Sequence, residues 1–142
     1  VEYRNPKYWW IGANANYLSD NYLDVASILR TANFYLNDDN ATIAIDQWLA
    51  DQYLKQEKFD SFYLFNLVCG KSWKIANYNL GFFAIVNNVL NQTYKTGGFE
   101  QSRNATYRQV YEDHQSNGPS VFAPKYFYGY GRTYMVNFYV SF

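Results

Sequence analysis

Alternation of apolar and polar residues constrains the fold of this chain more than any other feature of its sequence. The clearest alternation lies at the C-terminal end, where the apolar positions are Tyr134, Val136, Phe138, Val140 and Phe142. Successive side chains of a β-strand point to opposite faces, so a period of two predicts a strand with two unlike faces.

Three earlier stretches repeat this alternation, and together the four indicate an all-β chain. The predicted antiparallel strands span residues 9–17, 63–73, 80–90 and 130–142. In the first strand, small and amide residues occupy one face and mostly apolar residues the other. We therefore expect a sheet whose two faces differ in polarity.

The connections between these strands are very unequal in length. Residues 74–78 are short enough for a hairpin turn, whereas 19–58 and 91–125 are far longer than an ordinary loop. Within 19–58, apolar residues at helical spacing predict two short helices, near 22–29 and 45–53. The second long connection contains glycine and proline breakers and is predicted to be irregular.

Aromatic residues make up 22% of the chain, with 16 Tyr, 11 Phe and 4 Trp. Amphipathic tyrosine and tryptophan rings accumulate where an apolar region meets a wet one, as at membrane interfaces. No apolar run is long enough for a membrane-spanning helix; the longest is 80–86. The 12 basic and 12 acidic residues cancel without a dense basic run, which argues against a nucleic-acid partner.

The order of strands and connections allows two interpretations. If the strands run up and down in sequence, both long connections lie on one side and the short turn on the other. Transmembrane β-barrels have this layout, with aromatic girdles where the strands cross the two interfaces. An ordinary soluble antiparallel sheet also alternates, and its aromatic residues would then form a core. The layout favours the barrel without excluding the soluble sheet.

Several stretches resemble TonB-dependent outer-membrane receptors. Residues 124–142 look like the C-terminal strand of that family. The element that closes the family's penultimate strand, Asn-Leu-Phe-Asn…Tyr, is similar to the run Val86-Asn87-Asn88-Val89-Leu90-Asn91-Gln92-Thr93-Tyr94. The last external loop of the SusC-like branch, whose members carry an N-terminal carboxypeptidase-regulatory-like domain, is similar to Gly97-Gly98-Phe99-Glu100-Gln101 followed by Arg103 and Tyr107. The resemblance extends over nearly the whole chain and is sharpest over 79–142.

This resemblance implies an antiparallel transmembrane β-barrel of about 22 strands, of which residues 1–142 would supply the last four. Two long external loops would shape its mouth, the first with short helices. Four strands cannot close around a lumen, so we expect the segment to pair with more barrel, either of one longer transporter or, less simply, of three copies. No plug domain, TonB box or signal peptide is recognised within these residues.

The implied function is import of a nutrient, namely a glycan, a peptide or a metal chelate, across the outer membrane of a Gram-negative bacterium. The implied partners are outer-membrane lipid, the remaining strands and plug of the same transporter, the TonB complex, and a surface lipoprotein lid. The alternative is a stand-alone β-rich module that binds carbohydrate or has a structural role. Detergent dependence would separate the two, because an exposed lipid-facing belt aggregates in water.

On the barrel interpretation, alternate residues of each strand have different surroundings. The expected lipid-facing residues are Trp9, Ile11, Ala13, Tyr17, Phe65, Leu67, Cys69, Leu80, Phe82, Ala84, Val136, Phe138 and Val140. The expected lumen-facing residues are Asn14, Asn16, Asn66, Asn79, Asn87 and Asn137. The resemblance also implies a signal for the barrel-insertion machinery, formed by Tyr134, Val136, Phe138, Val140 and Phe142.

Residues able to support catalysis or metal binding are few. One cysteine, Cys69, and one histidine, His114, predict no zinc site, no nucleophilic triad and no cofactor site, so we expect a non-enzymatic protein. The run Asn37-Asp38-Asp39-Asn40 offers oxygen ligands but lacks the order of a calcium loop, and a solvated turn is the better interpretation. The connection 19–58 has seven acidic and three basic residues, a net charge of −4, which would either favour cationic ligands or only keep the surface soluble.

Overall fold

The computed structural model describes residues 1–36, 41, 43–100 and 105–142. Its chain divides into two compact units. The first, here named the sheet unit, comprises Val1–Ser19, Asp60–Tyr94 and Gly129–Phe142. The second, here named the loop unit, comprises Asp20–Phe59 and Lys95–Tyr128.

The sheet unit is one antiparallel sheet of five strands in the order β1-β2-β3-β4-β7. These strands are β1 (Glu2–Asn5), β2 (Trp9–Leu18), β3 (Phe62–Ile75), β4 (Tyr78–Asn87) and β7 (Thr133–Ser141). The predicted all-β, antiparallel character of the chain is therefore confirmed, and each of the four predicted strands is present.

Strand β1 is an addition to the four that the alternation predicted. It has only four residues, Glu-Tyr-Arg-Asn, which are too few and too polar to give a period-two signal. It pairs with β2 through a turn in which Tyr8 has a φ of 61°. The predicted hairpin between β3 and β4 is confirmed, with Ile75 paired to Tyr78 and only two residues in the turn.

The register of the sheet determines which residues share a face, because directly paired residues of neighbouring antiparallel strands point the same way. One row of paired residues crosses the whole sheet and consists of Tyr3, Ile11, Cys69, Ala84 and Val136. The neighbouring row points to the opposite face and consists of Arg4, Trp10, Gly70, Phe83 and Asn137. All other positions follow from these two rows.

The loop unit contains the helices and a small sheet. Its elements are two 3-10 turns (Ser27–Arg30 and Ala32–Tyr35), α1 (Gln47–Tyr53), α2 (Tyr107–Gln115), and a two-stranded antiparallel sheet of β5 (Lys95–Phe99) and β6 (Lys125–Tyr128). A core of buried side chains joins the turns to both helices; it contains Leu29, Phe34, Ala50, Ala105, Tyr107 and Val110.

The two helix predictions had different outcomes. Helix α1 confirms the one near 45–53, and Asp46 caps it by accepting a hydrogen bond from the backbone N–H of Leu49. The prediction near 22–29 was wrong, because Tyr22 and Asp24 form isolated β-bridges and only Ser27–Arg30 makes a single 3-10 turn.

The second long connection was wrongly predicted to be irregular. Helix α2 lies within it, and Thr106 and Gln109 form a reciprocal capping box at its start. The signals were present in the sequence, with apolar residues at 107, 110 and 111, but the glycine and proline breakers nearby outweighed them. Within the described part of the chain, no helix has the length and apolar character needed to cross a membrane.

Candidate functional site: the apolar face of the sheet

The pairing register brings the predicted lipid-facing residues together on one face of the sheet, here named the apolar face. Every one of them belongs to it: Trp9, Ile11, Ala13, Tyr17, Phe65, Leu67, Cys69, Leu80, Phe82, Ala84, Val136, Phe138 and Val140. The same rows add Tyr3, Ala15, Tyr63, Trp73, Val86 and Tyr134. That this face contacts lipid stays a prediction.

Large apolar side chains on this face are exposed. Phe138 is 78% exposed, Val140 60% and Val136 56%, although they alternate with polar residues and lie in a regular strand. Pairs of rings also line up across strands, as Phe82 and Phe138 do with centroids 6.1 Å apart. A contiguous apolar surface of this kind marks a site of interaction with a membrane or another protein.

Most tyrosine and tryptophan residues of the apolar face lie towards its two ends, whereas Tyr3 and Tyr134 lie in rows between them. At the end where the long connections leave the sheet, Tyr17 and Tyr63 pair with ring centroids 4.7 Å apart. At the opposite end are Trp9, Trp73 and Tyr78. The other residues of the rows between them are aliphatic or phenylalanine, apart from Cys69.

Lys71 is the one charged side chain on the apolar face within the described part of the chain. Its Nζ lies 5.6 Å from the centroid of the Trp73 ring and 3.5 Å from the carbonyl oxygen of Lys7. Both neighbours are at the turn end, so the aliphatic stem crosses the apolar surface while the ammonium group reaches its margin. Lysine side chains commonly behave in this way at apolar boundaries.

The opposite face, here named the polar face, also carries apolar residues such as Phe83, Ile85 and Met135. It holds all of the predicted lumen-facing residues: Asn14, Asn16, Asn66, Asn79, Asn87 and Asn137. Asn14 Oδ1 accepts hydrogen bonds from the amide groups of Asn16 at 3.1 Å and Asn66 at 2.9 Å. The position of these amides on a face distinct from the apolar one is observed; their contact with a lumen stays a prediction.

Two rings lie flat on the polar face over glycines in the neighbouring strand. Trp10 is paired with Gly70, and Tyr139 with Gly81. A Cβ at either glycine would overlap the facing ring. The hydroxyl of Tyr139 is also 2.7 Å from Ser72 Oγ, which holds that ring down. The sequence shows glycines at 70 and 81, but only the register shows which ring covers each.

The proposed insertion signal lies on β7 and just beyond it. Tyr134, Val136, Phe138 and Val140 belong to the apolar face, and Phe142 follows the end of the strand and is 99% exposed. β7 is an edge strand of the sheet, with every residue exposed. That the insertion machinery reads these residues stays a prediction.

The run that resembles the closing element of the penultimate strand has a clear structural role. Asn88 is 4% exposed, and its side-chain NH₂ donates to the backbone oxygens of Gln92 at 2.8 Å and Tyr130 at 3.2 Å. Its Oδ1 accepts from the N–H of Gln92 at 2.9 Å. Asn91 Oδ1 accepts from the N–H of Arg132. These amides fasten the end of β4 to the chain that leads into β7.

The remaining candidate residues belong to different units of the chain. Cys69 lies on the apolar face, in the sheet unit, and His114 lies on α2, in the loop unit. No group of three or more His, Cys, Asp or Glu side chains is suitably placed for a metal ion among the described residues. The calcium candidate, Asn37–Asn40, lies outside them, as do Gln101 and Arg103.

Comparison with known proteins adds no relative to this picture. No family model, no curated protein and no solved structure matches the chain.

Proposed function

We propose that the sheet unit is a segment of a transmembrane β-barrel, and that the chain is the C-terminal part of a TonB-dependent transporter that imports a nutrient across a Gram-negative outer membrane. The observation that carries this proposal is the apolar face, which is exposed, nearly free of charge among the described residues, and bordered at both ends by tyrosine and tryptophan. Lipid-facing surfaces of barrels have this composition.

The strand lengths support a membrane span. β2 and β4 each have 10 residues and β7 has 9. At about 3.4 Å per residue, a 10-residue strand is about 34 Å long, and a tilt of about 40° reduces its height to about 26 Å. The apolar band of outer-membrane barrels is about 25 Å tall. The distance between the two aromatic borders therefore suits a bilayer.

The position of Lys71 supports a sheet that spans the membrane with its turn end at one interface. A charge near the centre of a bilayer is costly, whereas a lysine near an interface can extend its ammonium group to the headgroups. The Lys71 ammonium lies beside Trp73 and the Lys7 carbonyl, both at the turn end. In a barrel, this end corresponds to the periplasmic interface, and the long connections leave the sheet at the external side.

The sheet needs further strands to satisfy its edges. Within the described residues, β1 and β7 each pair on one side only, so half of their backbone groups point away from the sheet. Unpaired backbone groups are not tolerated in hydrocarbon, which is why membrane sheets close. We propose that the rest of the same transporter supplies these strands. The plug, the TonB complex and a lipoprotein lid are partners that the family resemblance alone suggests.

A matched pair of substitutions on β7 tests the proposal. Phe138 and Asn137 are adjacent, are both exposed, and lie on opposite faces. Phe138→Lys places a charge on the apolar face and should destabilise the inserted state by roughly 1–2 kcal/mol, whereas Asn137→Lys should have little effect. The cost is below that of a charge at the midplane because Phe138 lies in the same row as Lys71, towards the turn end. Inserted protein can be measured by heat-modifiable electrophoretic mobility after extraction from membranes. Equal losses in the two variants would contradict the face assignment and the proposed barrel.

One observation favours the alternative of a stand-alone β-rich module that binds carbohydrate or has a structural role. The loop unit has its own buried core, with Leu29, Phe34 and Ala50 almost fully inaccessible, so it does not depend on lipid for its packing. The two proposals differ in detergent dependence. If the chain remains monodisperse in water without detergent, the apolar face is not a lipid-facing surface.

A further inference from the structure

A short loop after α2 is closed on a single residue, Asp113. At its start, the Ser116 hydroxyl donates to the backbone oxygen of Asp113 at 2.8 Å. At its end, the Ser120 hydroxyl and the backbone N–H of Val121 donate to the Asp113 carboxylate. Residues 116–121 are here named the closed loop. Its two ends are fixed at one point, while residues 117–119 between them are exposed.

The exposed part of the closed loop contains Asn117 and Gly118, the one Asn-Gly pair in the sequence. Within the described residues, neither the Asn117 side chain nor the Gly118 N–H makes a hydrogen bond. A Cβ placed on Gly118 would meet no atom within 4 Å. The side-chain amide and the backbone nitrogen that follows it are therefore free to move towards each other.

An asparagine side chain can react with the backbone nitrogen of the next residue, and two structural conditions control the rate. The nitrogen has to approach the side-chain Cγ, and a side chain on the next residue obstructs that approach. Glycine obstructs it least and also allows the widest range of backbone angles. A backbone N–H that is hydrogen-bonded in a helix or a strand is held away from the side chain. Asn117 meets both conditions.

The reaction needs water and no other reactant. The Gly118 nitrogen attacks Cγ of Asn117, the Cγ–Nδ2 bond breaks, and Nδ2 leaves as ammonia with the proton of the Gly118 N–H. The product is a cyclic imide, which water then opens. Opening at Cγ gives aspartate, and opening at the backbone carbonyl carbon gives isoaspartate, in which the main chain runs through Cβ and Cγ.

We infer that Asn117 is a site of spontaneous covalent modification, at which water converts the side chain to aspartate and isoaspartate, and that this conversion releases the closed loop from Asp113. The modified fraction grows with time, so it records the age of the molecule. The site lies in the loop unit and does not depend on whether the sheet unit spans a membrane.

Two effects of the conversion weaken the hold of Asp113 on the closed loop. Isoaspartate inserts an extra methylene carbon into a main chain whose ends are both fixed at Asp113. Both products also add a negative charge just beyond Gln115, the last residue of α2. The C-terminal end of a helix carries a partial negative charge, and the Asp113 carboxylate carries a full one, so the new charge is repelled.

The segment that is released also forms part of the wall of a pocket. Ser120, Phe122, Ala123 and Pro124 line one side of a cavity of about 360 Å³ within the loop unit. Phe122 is held by the same carboxylate, since its backbone N–H donates to Asp113 at 3.3 Å. Conversion of Asn117 therefore opens this cavity progressively as the protein ages.

Peptide mapping by mass spectrometry measures the conversion in the full chain in detergent. The chain is incubated at mildly alkaline pH, which favours the deprotonated nitrogen, and electron-transfer fragmentation of its tryptic peptides separates aspartate from isoaspartate. Asn77 is the internal control, because it is exposed in the turn between β3 and β4 but precedes Tyr78. We expect Asn117 to convert about tenfold faster than Asn77, mainly to isoaspartate. Equal rates would overturn the site.

A variant at the neighbouring residue tests the geometry of the attack. Gly118→Ala should leave the fold intact, because the φ of Gly118 is not positive and the new methyl group meets open space. It should slow the conversion of Asn117 about tenfold by obstructing the approach of the nitrogen to Cγ. An unchanged rate in this variant would contradict the proposed reaction.

Amide hydrogen exchange tests the release of the loop. In the converted chain, separated from the fresh chain by its added charge, protection of the Val121 and Phe122 amides should fall about tenfold. Asn117→Gln cyclises far more slowly, so the same incubation should leave its protection unchanged and exclude other damage as the cause. Equal protection in the converted and fresh chains would overturn the release.

Discussion

Asn87 and Asn88 are identical in chemistry and adjacent in the chain, yet the structure gives them unrelated surroundings. Asn87 is exposed and donates to Thr133 Oγ1 at 3.3 Å. Asn88 is buried, has a φ of 49°, and bonds backbone groups of residues 92 and 130. Asparagine is among the few residues that accept this backbone conformation and can also bridge three backbone groups.

This contrast gives a prediction at the residue scale. Asn88→Ala should lower the free energy of unfolding by about 2–4 kcal/mol, because it leaves buried backbone groups without partners at a positive φ. Asn87→Ala, the matched control, should change it by no more than about 0.5 kcal/mol. Urea unfolding in detergent micelles measures both. Similar losses in the two variants would show that Asn88 does not fasten the strand ends.

The sequence could mark this run but could not separate its two asparagines. The resemblance to a family element pointed to residues 86–94 as a block. The role of Asn88 depends on the carbonyl of Tyr130, 42 positions along the chain, and on a local φ that no periodicity reports. Long-range partners of a single amide lie beyond what composition and spacing can predict.

At the scale of elements, the segment after α2 is held by one carboxylate. Asp113 accepts hydrogen bonds from the Ser120 hydroxyl and from the backbone N–H groups of Val121 and Phe122. The bond from Ser120 is the largest influence, with the backbone donors adding to it, and the pKa of Asp113 is lowered. The charged form is therefore favoured by the folded segment.

The pH dependence of this segment follows from that direction. Because the folded pKa is below the ordinary value of 3.8, the anchor is fully present above 3.8 and is lost as the pH falls through the folded pKa. We expect protection of the Val121 and Phe122 amides, corrected for intrinsic exchange, to fall over that acidic range. In Asp113→Asn, protection should be weaker at neutral pH and should lack this transition. Glu112→Gln, on the same helix, is the control and should behave like the parent chain.

Elements were predictable where their own residues carried the signal. The alternation placed β2, β3, β4 and β7 to within a few residues, and apolar residues at helical spacing indicated α1. β1 was missed because it is short and polar. α2 was missed because only two of its residues, Tyr107 and Val110, are buried, and neighbouring breakers dominated the stretch. The β5-β6 pair joins segments that are more than 25 positions apart, so no local pattern could reveal it.

For the whole molecule, the two faces of the sheet unit should be distinguishable by contact with lipid. Trp9 and Trp10 are adjacent, but Trp9 belongs to the apolar face and Trp10 covers Gly70 on the polar face. The chain has 4 tryptophans, so two variants can each keep one of this pair, with the others replaced by phenylalanine. The two variants then differ mainly in the face on which the indole lies.

In bilayers containing lipids brominated near the headgroup, fluorescence of the variant that keeps Trp9 should be strongly quenched. Fluorescence of the variant that keeps Trp10 should change little, because bromine quenches only at short range. Lipids brominated deep in the acyl chain should quench Trp9 less than the shallow ones do, since Trp9 lies at the end of the apolar face. Comparable quenching of Trp9 and Trp10 would be incompatible with a sheet that has lipid on one side.

At the scale of the whole molecule, the sequence predicted a sheet with two unlike faces. It did not predict that the chain divides into two compact units. The residues predicted to face lipid and those predicted to face a lumen lie on opposite faces of the sheet, because alternate residues of a regular strand point to opposite sides. Their contact with lipid or a lumen stays a prediction. The loop unit depends on contacts such as those of Glu57 with Lys95 and Tyr126, which link distant parts of two connections. The spacing of residues along the sequence does not predict a contact among three side chains that are far apart in the chain.

Gly70 and Gly81 determine how far side chains project from the polar face. Because each has no side chain, the ring paired with it can lie flat on the backbone. The rings of Trp10 and Tyr139 therefore cover the sheet without projecting far from it. Anything resting against that side meets a smooth patch where two bulky rings would otherwise project as ridges. A methyl group at either glycine would lift a ring and roughen the surface, so two of the smallest residues determine how close a neighbour can come.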